Sequence, residues 1–271
     1  LTGGPGIWSS FAAIAPGILT LFAGGGALTQ SGQKTIEKVL THVGISEHRW
    51  HEAKFGLSSV LLVGLLGFHA SFPFIARLYN HRGEQEYFDL NQPKLASAQK
   101  SFMRALELNP DFAKAQFNLG LTYEDVQLFD QAEEAYRKAL SSGYIPAYNN
   151  LARVYIDQEE PGKALALLQQ GLVQVQLDSG KYEGGPENLE AAFHKNLGWA
   201  QLDLGNYGAA KAELNQAIDL DETRPDSYCL LAETLETEAE EMEQSIPTAA
   251  APYWKNCLKY ANAQYDARWI G

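Results

Sequence analysis

The sequence predicts an all-α fold: an α-α solenoid of stacked helical hairpins, preceded by a hydrophobic transmembrane-type helical hairpin. Three observations carry this expectation. First, apolar and small residues recur at helical spacing in paired segments. In Ala113 to Leu140, Leu119, Gly120 and Tyr123 stripe one helix, and Ala132, Tyr136 and Ala139 stripe the next. Second, the pair recurs. Small residues Gly120, Ala152, Gly198 and Ala232 each follow a leucine, at steps of 32, 46 and 34 residues, while Ala98, Ala132, Ala164 and Ala210 keep pace at 34, 32 and 46. Third, two apolar runs without Asp, Glu, Lys or Arg, within 1–33 and at 55–76, stand ahead of the repeats.

A repeat of about 34 residues built as two helices is the tetratricopeptide (TPR) period. Leu119-Gly120-x-x-Tyr123 followed by Ala132-x-x-x-Tyr136-x-x-Ala139-Leu140 resembles the TPR pattern, and Leu106-Glu107-Leu108-Asn109-Pro110 resembles its inter-repeat turn. The resemblance covers Arg82 to Ala261, with three copies that match well. It implies a TPR superhelix of about five helix pairs, working in protein recognition rather than catalysis.

From the amino end, residues 1–80 read as a hydrophobic helical region and 81–271 as the solenoid. The first span is expected at 7–28, although Pro16 and Gly24-Gly25-Gly26 interrupt it. A cleavable secretory signal fits less well, because no basic segment precedes this run and no clear cleavage site follows. The second span, 55–78, is apolar all round, as a lipid-facing or deeply buried helix is. Trp50 and Arg77 would anchor its two ends, Leu61 and Leu65 would face lipid, and His69 would mark a helix contact. A soluble cap on the solenoid is the alternative for this helix. Between the runs, Ile36, Val39, Leu40 and Val43 give 33–54 an amphipathic face. Lysine and arginine are balanced across the second run, so orientation is open, and one span or two are both compatible with the pattern.

The second span continues towards the first repeat without a turn signal, which implies a stiff tether. Glu86 stands where the pattern prefers a small residue, making that repeat irregular. The third pair, Ala147 to Leu172, turns at Pro161-Gly162. After it, 178–188 is rich in glycine and accounts for the long step as an exposed inserted loop. A regular pair follows from Ala191 to Leu220, then an atypical one from Pro225 to Ala261 with an acidic first helix.

The 271 residues carry a net charge of −12. Residues 1–80 hold a net of +2, leaving −14 for the remainder. That balance argues against a nucleic-acid partner, since neutralising phosphates needs clustered Lys and Arg. The two cysteines, Cys229 and Cys257, fall in one predicted hairpin and read as buried thiols rather than as a disulfide. The chain begins at Leu1, which suggests a processed product or a piece of a longer protein.

No phosphate-binding glycine loop, His-Glu-x-x-His, Gly-x-Ser-x-Gly or Cys-x-x-Cys is present, so neither catalysis nor a cofactor is expected. Glu47 to Glu52 holds the one histidine cluster. It reads as a solvated interfacial cap rather than a metal site.

The candidate site is an inner wall of recurring asparagines. Asn118, Asn150 and Asn196 each precede the leucine of the repeat, so they should stack as an amide ladder able to pair with an extended peptide backbone. In TPR proteins that bind peptides, this position resembles the asparagine that does so. Lys114, Asn149, Arg153 and Lys195 lie within a turn of the ladder and could hold an acidic side chain or a terminal carboxylate.

The expected function is a membrane-anchored scaffold or adaptor, integral through one or two helices, that receives a partner protein segment in its groove. The resemblance suggests a part in assembling or stabilising a membrane complex, with the repeats on the cytoplasmic side; a homo-oligomer is compatible with this. Two alternatives remain open. One is a membrane-disrupting or pore-forming effector with the repeats as sensor or oligomerisation platform. The other is the regulatory segment of a larger enzyme.

Overall fold

In the computed structural model, residues 30–89, 92–177, 186–243 and 248–261 are described. The first expected span at 7–28 and most of the expected loop at 178–188 lie outside them. Among the described residues every regular element is a helix. The chain divides into two compact units, Leu1–Phe74 and Ile75–Gly271, the boundary falling six residues before the one expected at 80.

In the first unit, α1 (Gln30–His42) is followed by a short 3-10 turn at Glu47–Arg49 and by α2 (Trp50–Ala70). Gly44 closes α1 with φ of +80°, a left-handed conformation that glycine adopts without steric cost. The Trp50 indole donates to the Ile45 carbonyl at 3.0 Å and ties the start of α2 to this turn. Of the amphipathic face expected in α1, Leu40 is buried, whereas Val39 and Val43 stand exposed. The α2 surface is apolar and open: Val60, Val63, Leu65, Leu66 and Phe68 are all exposed. The side chain of Leu61 lies outside the described set. The helix does not run on unbroken to residue 78. At Ser71 the backbone N–H is shared by the Gly67 and Phe68 carbonyls, and the hydroxyl donates to Phe68 at 2.6 Å. A new helix, α3 (Phe72–Tyr87), begins one residue later.

Among the described residues the second unit stacks five hairpins. α3 pairs with α4 (Leu95–Leu108), α5 (Ala113–Asp125) with α6 (Phe129–Ser141), and α7 (Pro146–Asp157) with α8 (Pro161–Leu177). They are followed by α9 (Pro186–Asp203) with α10 (Tyr207–Leu220), and α11 (Pro225–Glu241) with α12 (Ala251–Tyr260). What locks three of these hairpins is a glycine on the first helix under a bulky side chain on the second. A Cβ added at Gly120 would meet the Tyr136 ring at 2.5 Å, and one at Gly198 would meet Leu214 at 2.5 Å. Tyr136, Leu168 and Leu214 are fully buried; around the first two the core runs continuously from α6 to α9, and Leu214 sits in a second cluster formed by α9, α10 and α11.

The first hairpin corrects the sequence-based register. Its small residue is Gly83, where an added Cβ would meet Phe102 at 2.5 Å, as Gly120 meets Tyr136. The contact is the same as in later hairpins, but three extra residues in the link after Tyr87 displace the count, so the irregularity lies in the link rather than at Glu86. Glu86 is instead a partly buried carboxylate that accepts from Ser101 at 2.9 Å and pairs with Arg82 at 3.0 Å.

The insertion behind the long step is partly helical. α8 extends to Leu177 and α9 begins at Pro186, so both helices outgrow the expected limits of Leu172 and Ala191. Phe193, near the start of α9, packs on Gly171 towards the end of α8 and is fully buried.

The cysteine reading is also corrected. Cys229 on α11 and Cys257 on α12 form a disulfide, with Cα atoms 5.0 Å apart and neither residue exposed. Cysteine number carried no information on this, because only the crossing of the two helices brings the Cβ atoms within bonding reach.

Candidate functional site

The recurring asparagines are placed by the register that places the glycines, two residues before the small position, and most of them turn inward. Asn118 is 4% exposed, and its amide donates to Asn80 Oδ1 and to Glu84 Oε1, both at 3.0 Å. Asn196 is fully buried and donates to Asn149 Oδ1 at 2.8 Å and to the Asn149 carbonyl at 3.3 Å. Both are therefore inter-hairpin bonds, joining the first helix of one pair to the first helix of the preceding pair. Asn149 in turn donates to Asn150 Oδ1 at 3.3 Å. Asn150 is the ladder member that remains partly exposed, and it donates to the Tyr136 hydroxyl at 3.4 Å.

The basic residues near the ladder are paired as well. Lys114 meets Glu84 at 3.0 Å, and the Asn80 amide donates to the same carboxylate at 3.0 Å. Lys195 is buried, with its ammonium 3.4 Å from Asp226 and 5.7 Å from the centre of the Trp199 ring. Burial depresses its pKa to about 8, with Asp226 pulling the other way. Arg153 donates to Glu124 Oε1 at 2.5 Å, while the Tyr136 hydroxyl donates to Glu124 Oε2 at 2.6 Å. Glu124 is thus satisfied on both oxygens, and the guanidinium is held in one orientation.

Two of the seven expected residues, Asn150 and Arg153, line an open cleft of about 750 Å³ where α3, α5 and α7 come side by side. Tyr87, Phe88, Leu121 and Phe129 form its apolar walls, and Glu124, Asp125 and Asp157 its acidic groups. Asp125 accepts from the Tyr87 hydroxyl at 2.7 Å. Its pKa is raised by burial, with the neighbouring Glu124 charge adding to the effect. The cleft is large enough for side chains of a peptide, and amide, guanidinium and carboxylate groups can all reach into it. Among the described residues no group of three metal-ligating side chains converges.

One set of residues escaped the sequence reading. Asp125, Asp157 and Asp203 occupy the last position of three successive first helices, at the same steps of 32 and 46 as the asparagines. Asp203 is pushed up to about 6 by burial and then by the charge of Asp157, against a bond from Trp199. Burial likewise raises Glu233, reinforced by Asp203 and Glu236. Carboxylates on α7, α9 and α11 therefore sense one another along one face. The signal was available in the repeat arithmetic, but acidic residues at helix ends attract no notice in a chain of this net charge.

Comparison with known proteins agrees with the helical-repeat fold. Tetratricopeptide repeat family models match residues 89–150 and 121–180, and a second such model matches 194–224. The tetratricopeptide repeat-containing protein trd-1 of Caenorhabditis elegans is 28% identical over 150 residues, which is 54% of this chain and 18% of that one. This chain thus spans less than a fifth of that relative's length. Among solved structures, PilW, a widely conserved type IV pilus biogenesis factor, superposes with a TM-score of 0.56 at 19% identity, covering 70% of this chain and 80% of its own. A thermophilic TPR protein of Thermus thermophilus gives 0.51 at 22% identity, covering 72% and 96%. At these identities the likeness is one of fold.

Proposed function

We propose that this tetratricopeptide-repeat protein is a membrane-anchored scaffold that holds an extended segment of a partner protein across α3, α5 and α7, and so helps a membrane complex to assemble. The observation that carries this reading is the open cleft at Asn150 and Arg153. It has apolar walls for side chains and polar groups of fixed orientation for recognition. Repeat arrays have little catalytic machinery but offer long surfaces, which suits binding.

The anchor rests on a separate feature. The stretch Leu62–Tyr87, 26 residues long and interrupted only at Ser71, has the length and composition for its apolar part to cross a bilayer, and that part is 6% buried. A water-soluble core helix of that composition would be mostly covered. The Cys229–Cys257 disulfide supports placing the repeats in an oxidising compartment rather than in the cytoplasm, where thiols are kept reduced. The partner would then be met on that side.

Site-specific photo-crosslinking in intact membranes tests the groove. A photoreactive residue in place of Leu121, inside the cleft, should give discrete adducts that one in place of Glu134, on the exposed outer surface of α6, does not. The same adducts from both positions, or none from Leu121, would remove the groove as the binding surface.

A further inference from the structure

Resting on the groove reading above, we infer that the segment this cleft takes is basic, with Lys or Arg side chains seated beside Asp125 and Asp157 and against the rings of Tyr87 and Phe88. The expectation from sequence was the opposite, that Arg153 and its neighbours would hold an acidic side chain or a terminal carboxylate. Three features of the cleft reverse it.

The first is the state of Arg153. It is the cation of the lining, and its Nε–H is committed to Glu124, whose second oxygen is taken by Tyr136. An incoming carboxylate would have to compete with a preformed pair rather than meet an available charge. The second is the balance of charge. The lining holds three carboxylates, Glu124, Asp125 and Asp157, against one guanidinium. The formal sum over these lining groups is −2. An anionic ligand is repelled there and a cationic one is drawn in. The third is the wall. Phe88 is 58% exposed beside Tyr87, with the two ring centroids 4.7 Å apart and the rings nearly perpendicular. Aromatic faces next to carboxylates suit a guanidinium or ammonium, which gains from the ring and the charge together.

The same register continues past the cleft. Asp203 follows Asp157 at the equivalent position on α9 and is close enough to feel its charge. This preference is a property of the cleft as a whole, since its walls and its paired arginine come from several helices together.

The test uses the full chain in mild detergent, with fluorescence anisotropy of labelled synthetic peptides of one length: Lys/Arg-bearing, acid-bearing with a free carboxyl terminus, and neutral with capped ends. The basic peptide should bind, and its affinity should fall as salt rises from about 50 to about 300 mM. Replacing Asp125→Asn together with Asp157→Asn should weaken it about tenfold while the helical circular dichroism spectrum is unchanged. The salt series on the unaltered chain keeps the inference testable should the double variant fold poorly. Preference for the acid-bearing peptide, or basic-peptide binding indifferent to both salt and the substitutions, would overturn the inference. If no peptide binds while Leu121 still cross-links to a partner, the basic ligand is wrong and the groove stands. If the cross-link is absent too, both fall.

Discussion

Asp203 titrates high because it is partly withdrawn from water and faces the negative charge of Asp157. An acid whose folded pKa lies near 6, above its ordinary 3.8, binds its proton more tightly in the folded state than in the unfolded one. The penalty of ionising it is therefore absent below about pH 3.8, grows through the window up to about pH 6, and is fully present above that. Asp203→Asn should accordingly raise the melting temperature at pH 7.5, and the gain should vanish as the pH approaches 4. Thermal melts of both proteins across that range check it, and an equal gain at both ends would mean that charge is not the cause. Asn118 and Asn196 teach a different lesson at this scale. Their recurrence was legible in the sequence, but recurrence cannot say whether an amide faces a ligand or the neighbouring helix. Their burial, at 4% and 0% exposed, directs both inward.

At the scale of the hairpin, the glycine under the bulky side chain is the lock in three of the pairs. In Gly120→Ala the new Cβ would stand 2.5 Å from the Tyr136 ring, which is fully buried and bonded to Glu124, so the ring cannot simply swing away. Overpacking of this kind costs about 1–3 kcal/mol, and the helix propensity gained from alanine returns about 1 kcal/mol. A net loss is expected. Gly208→Ala, in the first turn of α10 with nothing within 4 Å, should instead gain about 0.5–1 kcal/mol. Urea midpoints for the two variants should move in opposite directions; a shift of the same sign would refute the packing argument. The disulfide acts on the last hairpin in the same local way. Cys229 and Cys257 are 28 residues apart, and closing a loop of that order stabilises by about 2–4 kcal/mol. Reduction should therefore speed amide exchange in α12 while α5 to α8 keep their protection, because repeat arrays open from their ends. Uniform loss of protection would show that the bond supports the whole array.

For the whole molecule, the open apolar surface of α2 and the acidic repeats predict two behaviours in one chain. The full protein should stay in the membrane pellet after an alkaline wash, because burial of the apolar surface of α2 in lipid does not depend on charge. Release into the supernatant would leave the scaffold without its anchor. A truncation meant to isolate the repeats must keep residues 75 onward, since Ala76, Asn80 and Gly83 of α3 are buried in the first hairpin. The sequence alone determined the all-α class and the repeat register from Gly120 to Ala232, because both follow from helical period and residue size, which are local. It also carried the apolar character of the residues before the repeats. Only the tertiary structure decided that Gly83 rather than residue 86 is the first small position, since that depends on the link the chain makes after Tyr87. Likewise, only the crossing of α11 and α12 pairs Cys229 with Cys257. Arg153 lines the cleft already bound to Glu124, and the pairing joins residues 29 apart, across two helices. Such facts belong to contacts between distant residues, and no local pattern records which side chains meet there.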